Sequence, residues 1–205
     1  MALLGVDFLG RFTAFRHVGV FPEQIAHWSW MKQKIEAADR PLKVLNLFGY
    51  TGVASLVAAA AGAEVTHVDA SKKAIGWARE NQSLSRLDKA PIRWICEDAM
   101  KFILREERRG HRYDIILTDP PKFGRGPNGE VWQLFDHLPL MLDVCRELLA
   151  PKAVGLVLTY FLFGVLLIMA AIIWYILRIR KGLKALGADH LINYKDVEAW
   201  GAAAL

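Results

Sequence analysis

The sequence predicts an α/β fold built on a parallel sheet, and three observations carry that expectation. Between Leu42 and Thr159, short apolar runs alternate with helix-like stretches, the pattern of repeated strand–helix–strand units. The strand-like runs are short and apolar, as strands covered on both faces are. Four successive runs then end in residues better suited to holding a ligand than to packing, at the edge where open α/β sheets bind ligands.

Taken in order, Lys43–Leu47, Glu64–Val68, Ile92–Cys96, Tyr113–Leu117 and Val154–Leu158 read as strands. Val53–Ala61, Lys72–Leu84, Ala99–Arg109 and Val131–Leu149 read as the helices between them. Gly62 stands where a helix C-cap is wanted, and Pro151 stops the last helix. Ser71 and Asp98 have the short polar side chains that cap helix N-termini. Gly124–Glu130 (GRGPNGE) reads as a loop from its Gly, Pro and Asn content.

A chain of 205 residues, 54% hydrophobic, has ample material for one core. Its formal charge of +5 favours an anionic partner, such as nucleic acid or a membrane surface, although the basic residues are scattered. The two cysteines, Cys96 and Cys145, are too few for a disulfide framework or a metal cluster, so no metal is expected. They read as core residues, and a cytoplasmic, reducing compartment fits them. The N-terminus has no basic stretch ahead of a long apolar one, so no secretory signal is read there.

One segment departs from this pattern. Ala153 to Leu177 contains no charged residue, and the run from Tyr160 ends against Arg178, Arg180 and Lys181. Roughly 20 apolar residues suffice to span a bilayer. Trp174 and Tyr175 beside a basic flank resemble an interfacial belt. The sequence is therefore divided into a ligand-binding domain over 1–159, a long apolar, transmembrane-like helix over 160–181, and a short tail over 182–205. Membrane contact would run through Phe161–Leu177. Oligomeric state is not legible.

Four strand ends carry the chemistry. Phe48-Gly49-Tyr50-Thr51-Gly52 forms a turn between a strand and a helix, where glycines permit close backbone approach and helix amides suit a carboxylate or phosphate. The GxGxxG dinucleotide spacing is absent. Asp69, followed by Ala70, ends the next strand, where a carboxylate can accept hydrogen bonds from two ribose hydroxyls. Capping the following helix is the alternative role. Asp98 could accept from an adenine amino group, with Ala99 leaving room for the ring; an N-cap is again the alternative. Asp119-Pro120-Pro121-Lys122-Phe123 closes the fourth strand with a turn made rigid by two prolines.

The order LNLFGYTG, HVDAS, CEDA, DPPKF resembles the class I S-adenosylmethionine-dependent methyltransferases. Among these it looks most like the large-subunit ribosomal RNA cytosine-5 methyltransferases, over about residues 15–159. Phe21-Pro22-Glu23-Gln24 resembles that family's segment ahead of the first strand, which places Gln24 against the cofactor. The resemblance implies a Rossmann-like sheet and S-adenosyl-L-methionine as cofactor. It assigns Phe48, Gly49, Tyr50, Thr51 and Gly52 to the methionine end, Asp69 and Ala70 to the ribose, and Asp98 and Ala99 to the adenine. Asp119, Pro120, Pro121 and Phe123 would floor the methyl-transfer site. RNA is the implied acceptor, with Arg105, Arg108, Arg109, His111, Arg112, Lys122 and Arg125 as candidate phosphate contacts.

The chain departs from the family in three ways. No cysteine follows the fifth strand, which ends Leu158-Thr159-Tyr160, so the thiolate of the cytosine-5 mechanism is missing. The sheet reads as truncated after that fifth strand, with the apolar helix in place of further strands. Finally, residues 184–203 (KALGADHLINYKDVEAWGAA) resemble a fragment of medium-chain alcohol dehydrogenases and quinone reductases, without the nucleotide-binding unit that precedes it there. The sequence therefore reads as composite, with inactivity or a membrane-anchored binding module as the alternatives to an active enzyme.

Overall fold

In the computed structural model, which describes residues 1–12 and 18–159, the alternating runs become one five-stranded parallel sheet. A small hairpin, β1 (Ala2–Leu3) and β2 (Val6–Asp7), leads in, and a turn of 3-10 helix at Pro22–Gln24 runs into α1 (Ile25–Glu36). The units that follow are β3 (Lys43–Leu47), α2 (Val53–Ala60), β4 (Glu64–Asp69), α3 (Lys72–Leu84), β5 (Ile92–Cys96), α4 (Ala99–Arg108) and β6 (Ile115–Thr118). A hairpin of β7 (Phe123–Arg125) and β8 (Val131–Gln133), then α5 (Leu134–Leu148) and β9 (Gly155–Leu158), complete the described part.

Alternation along the central strands sends side chains to two cores. Val44, Val65, Ile115 and Leu117 meet α1 and α2 on one face. Leu45, Leu47, Val68 and Ile116 meet α4 and α5 on the other. The strand order β5-β4-β3-β6-β9 means that the chain leaves β3 in one direction and returns beside it as β6. The crevice between the carboxyl ends of β3 and β6, where Leu47 pairs with Thr118, is thus the topological switch point that attracts ligands in such sheets.

Three expectations are corrected. Val131–Gln133 is strand, not helix, because alternation there buries Trp132 between exposed Val131 and Gln133 and pairs the run with Phe123–Arg125. The expected loop Gly124–Glu130 is accordingly the end of β7 plus a turn closed by the Gly126 amide on the Glu130 carbonyl at 2.8 Å. Cys96 is exposed, since β5 is the last strand on its side among the described residues, whereas Cys145 is buried and its thiol is pushed up to about 12 by burial.

The apolar segment 160–181 and the tail 182–205 lie outside the described residues. Among the described residues, no helix is long and apolar enough to cross a membrane.

A buried acid pins the amino edge of the sheet. Glu106 is fully buried and accepts from Tyr113 Oη and His111 Nδ1, both at 2.7 Å. Burial raises its pKa, but the hydrogen bonds from Tyr113 and His111 outweigh this and leave it lowered. A lowered folded-state pKa gives stability that is present above the ordinary value of 4.5 and lost as pH falls through the folded value. Thermal melts from about pH 7 to about pH 3 should show a steeper acid decline for the parent than for Glu106→Gln, which should also melt lower at neutrality. Parallel declines would contradict this assignment.

Candidate functional site

The switch-point crevice is built from the turn that follows β3. Phe48 and Tyr50 both adopt left-handed backbone, with φ of 55° and 50°, on either side of Gly49. Non-glycine residues hold such angles only when their surroundings over-determine them, and they cluster at functional sites. Here the Gly49 amide donates to the Val68 carbonyl at 3.1 Å, and the Tyr50 amide donates to Asp69 Oδ2 at 2.9 Å. The aromatic rings are held as well: Phe48 lies 5.0 Å from Trp132, and Tyr50 lies 5.9 Å from Trp77.

The glycines are required from beneath rather than by a ligand above. A Cβ on Gly49 would stand 2.5 Å from His67 Nδ1 and 2.9 Å from Asn46 Nδ2. His67 is fully buried, and burial drives it down to about 3, so it is neutral. Asn46 Nδ2 donates to Ser55 Oγ at 2.9 Å, which directs the Ser55 hydroxyl to His67 Nδ1, also at 2.9 Å. Sequence reading missed this buried polar chain, because each member lies inside an otherwise apolar strand or helix. Gly52, at φ 79°, begins α2, which has no side-chain cap, leaving its first amides to a carboxylate.

Asn81 was missed for another reason: it looks like part of a polar helix face. It is fully buried, donates to the Thr51 carbonyl at 2.9 Å and accepts from the Leu9 amide at 2.8 Å. Thr51 Oγ1 donates to the Gly19 carbonyl at 2.6 Å. The N-terminal segment is thereby stitched to the turn.

Asp69 stands at the end of β4. Its Oδ1 accepts from the Ser71 amide at 2.8 Å and its Oδ2 from Tyr50. Burial raises its pKa, and the two amides work against that rise. It does not cap α3. Ser71 does, accepting from the Ala74 amide at 3.2 Å. A carboxylate offers about four lone-pair directions, so two remain for a vicinal diol, and Ala70 beside it adds no bulk. Asp98 does cap, accepting from the Lys101 amide at 2.9 Å, with Ala99 buried beside it in the first turn of α4. Cap and ligand contact are compatible, since the cap uses one oxygen.

The fourth element faces the turn from β6. Asp119 Oδ2 accepts from Gln24 Nε2 at 2.5 Å, joining the residue ahead of α1 to the proline turn. Burial raises Asp119, Gln24 lowers it, and nearby Glu23 raises it further; the net direction is upward. A cavity of about 20 Å³ lies here between Gln24, Asn46, Thr118, Asp119 and Thr159. Thr118 Oγ1 is buried against it and has no hydrogen-bond partner among the described residues. Pro121 accepts from Trp132 Nε1 at 2.7 Å, while Phe123 is exposed. No thiol stands at this turn among the described residues: Cys96 is on β5, across β3 and β4, and Cys145 is inside α5.

The basic residues are divided. Arg108, Arg109, His111 and Arg112 follow the C-terminal end of α4 at the amino edge, where a cleft of roughly 470 Å³ is lined by Lys43, Arg93, Glu106, His111, Arg112 and Tyr113, whereas Arg105 reaches back to Glu97 at the carboxyl end of β5. Arg105 is held by both oxygens of Glu97, at 2.6 and 2.5 Å, and Arg109 by Glu106. Arg105 and Arg108 lie in the last turn of α4, where cations offset the negative helix end. An anion there would face the C-terminal end of α4. Lys122 and Arg125 instead follow the Asp119 turn, after the carboxyl end of β6.

Comparison with known proteins agrees with this geometry. Residues 5–161 match the S-adenosylmethionine-dependent methyltransferase family. The chain belongs to that family. It is similar to the crystal structure of the SAM-dependent methyltransferase from Agrobacterium tumefaciens, with 84% identity and a TM-score of 0.77, covering 78% of this chain and 51% of that one. It is 34% identical to ribosomal RNA large subunit methyltransferase K/L of Pseudoalteromonas atlantica over 69% of this chain and 20% of that protein. It is 32% identical to ribosomal RNA large subunit methyltransferase I of Aeromonas salmonicida over 66% of this chain and 34% of that protein. The chain thus spans a fifth to a third of these ribosomal RNA methyltransferases. The family's cofactor is S-adenosylmethionine, and the free lone pairs of Asp69 and the uncapped α2 amides fit its diol and carboxylate.

Proposed function

We propose that the chain methylates RNA from S-adenosylmethionine, at a nitrogen or oxygen that attacks directly. The carrying observation is the pair of carboxylates on the two sides of the switch point, Asp69 tied to the β3 turn and Asp119 tied to Gln24. Phe48 to Gly52 take the methionine end, Asp69 and Ala70 the ribose, and Asp98 and Ala99 the adenine. The bound cofactor supplies a methyl group activated on a sulfonium. Asp119 orients the acceptor and takes the proton that it releases, helped by its upward-shifted pKa. Pro120 and Pro121 fix that carboxylate. Among the described residues no thiol stands near Asp119, which favours this over a cytosine C5 acceptor, whose ring carbon needs thiolate addition first.

The RNA acceptor and a cytoplasmic setting are supported by the names of the ribosomal RNA relatives and by Lys122 and Arg125 at the active edge. The membrane-anchored alternative rests wholly on 161–177, and the resemblance of 184–203 to dehydrogenases on the tail, both outside the described residues. The family match covers residues 5–161 and lends the composite reading no support.

The test is transfer of labelled methyl from the cofactor to unmodified large-subunit ribosomal RNA. Label is expected in nucleoside fractions, with Asp119→Ala slowing transfer by about 100-fold or more. A chain that binds cofactor yet labels no RNA would overturn the RNA reading.

A further inference from the structure

The β7–β8 hairpin has two unlike faces. Pairing sets Phe123 opposite Gln133, Gly124 opposite Trp132 and Arg125 opposite Val131. Trp132 is buried, so Gly124 and Trp132 form the inner face, and Phe123, Arg125, Val131 and Gln133 form the outer one. Phe123 is 63% exposed and Phe135, at the start of α5, is 66% exposed. The Lys122 ammonium lies 5.3 Å from the centre of the Phe123 ring.

Charge on this face is positive and not neutralised by carboxylates. Among the described residues, neither Lys122 nor Arg125 has an ion-pair partner. Glu130, the hairpin's own carboxylate, is taken by Lys101 and by the Asn128 amide. Asp136 stands in the first turn of α5, where it complements the helix end. The hairpin is also rigidly joined to the Asp119 turn, through Trp132 Nε1 on the Pro121 carbonyl and the Leu134 amide on the Lys122 carbonyl at 3.0 Å.

We propose that this outer face is the dock for single-stranded acceptor RNA, a proposal that rests on the RNA reading above. Bases flanking the target stack on Phe123 and Phe135, and Lys122 and Arg125 hold the intervening phosphates. Exposed rings interleaved with unpaired cations suit a strand of stacked bases and phosphates, since every base offers a π face and every linkage a negative charge. A strand lying along the hairpin is led towards Asp119, where the target nucleotide is needed.

The test is fluorescence anisotropy of a short labelled single-stranded RNA, with S-adenosylhomocysteine present and salt varied. Arg125→Ala should weaken binding and reduce the log–log salt slope by about 0.7, the single-strand value for one phosphate contact. Phe135→Ala should weaken binding roughly 5- to 150-fold with the slope unchanged. Calorimetry should give parent-like S-adenosylhomocysteine affinity for both variants, showing that fold and cofactor site survive. Parent-like RNA binding by both variants would overturn the docking face while leaving the RNA reading intact. Failure of the parent to bind RNA, with cofactor still bound, would overturn both.

Discussion

Replacing Gly52 with alanine should destabilise the fold by about 2–4 kcal/mol, the sum of a left-handed backbone penalty and local overpacking. Gly52 holds φ at 79° at the junction of the β3 turn and α2. An added Cβ would stand 2.8 Å from the Ala78 Cβ and 3.0 Å from the Trp94 ring. Neither neighbour yields cheaply: Ala78 is fully buried on α3, and Trp94 is held by its Nε1 bond to Gln82 Oε1 at 2.9 Å. Gly76→Ala is the control, because it lies within α3 with nothing within 4 Å of its added Cβ. That change should be neutral or stabilising by up to about 1 kcal/mol. Urea unfolding checks both, and a Gly52→Ala midpoint equal to the parent's would refute the packing argument.

Asp69→Ala should weaken S-adenosylhomocysteine binding by about 1–3 kcal/mol, roughly 5- to 150-fold. Two losses add. The diol would lose its acceptor, and the amides of Tyr50 and Ser71 would lose the carboxylate that positions the turn. The effect should depend on pH, because a carboxylate raised by burial protonates at higher pH than an ordinary aspartate. Parent affinity should therefore hold at neutral pH and fall on acidification, while the Asp69→Ala affinity, already low, should change less. Titrations at several pH values decide the matter, and parallel pH profiles would remove Asp69 from the site.

Much of this architecture is written in local sequence. The strands Lys43–Leu47 and Ile92–Cys96 and the helix Lys72–Leu84 have the bounds that their apolar patterns imply. The reason is that central βαβ units impose both a period and a cap, as with Ser71 and Asp98. Legibility fails where a long-range partner decides. Val131–Gln133 is apolar enough for a helix start, and only pairing with Phe123–Arg125 makes it a strand. Cys96 looks like core until its strand is known to lie at the margin. At the site, the carboxylates at strand ends were readable because topology alone delivers them to one edge. The Asn46–Ser55–His67 chain and Asn81 were not, since nothing local distinguishes a buried polar residue that has found a partner from a solvated one. Clustering in sequence makes the basic run from Arg105 to Arg112 a candidate phosphate contact, and α4 carries Arg108 to Arg112 to the edge away from the switch point.

The central claim, that the four strand ends form one cofactor site, is tested most directly by calorimetric titration of S-adenosylhomocysteine into the parent chain. Saturable one-to-one binding in the micromolar range, about −8 kcal/mol, is the result expected. A chain that melts cooperatively yet takes up no S-adenosylhomocysteine would contradict the claim.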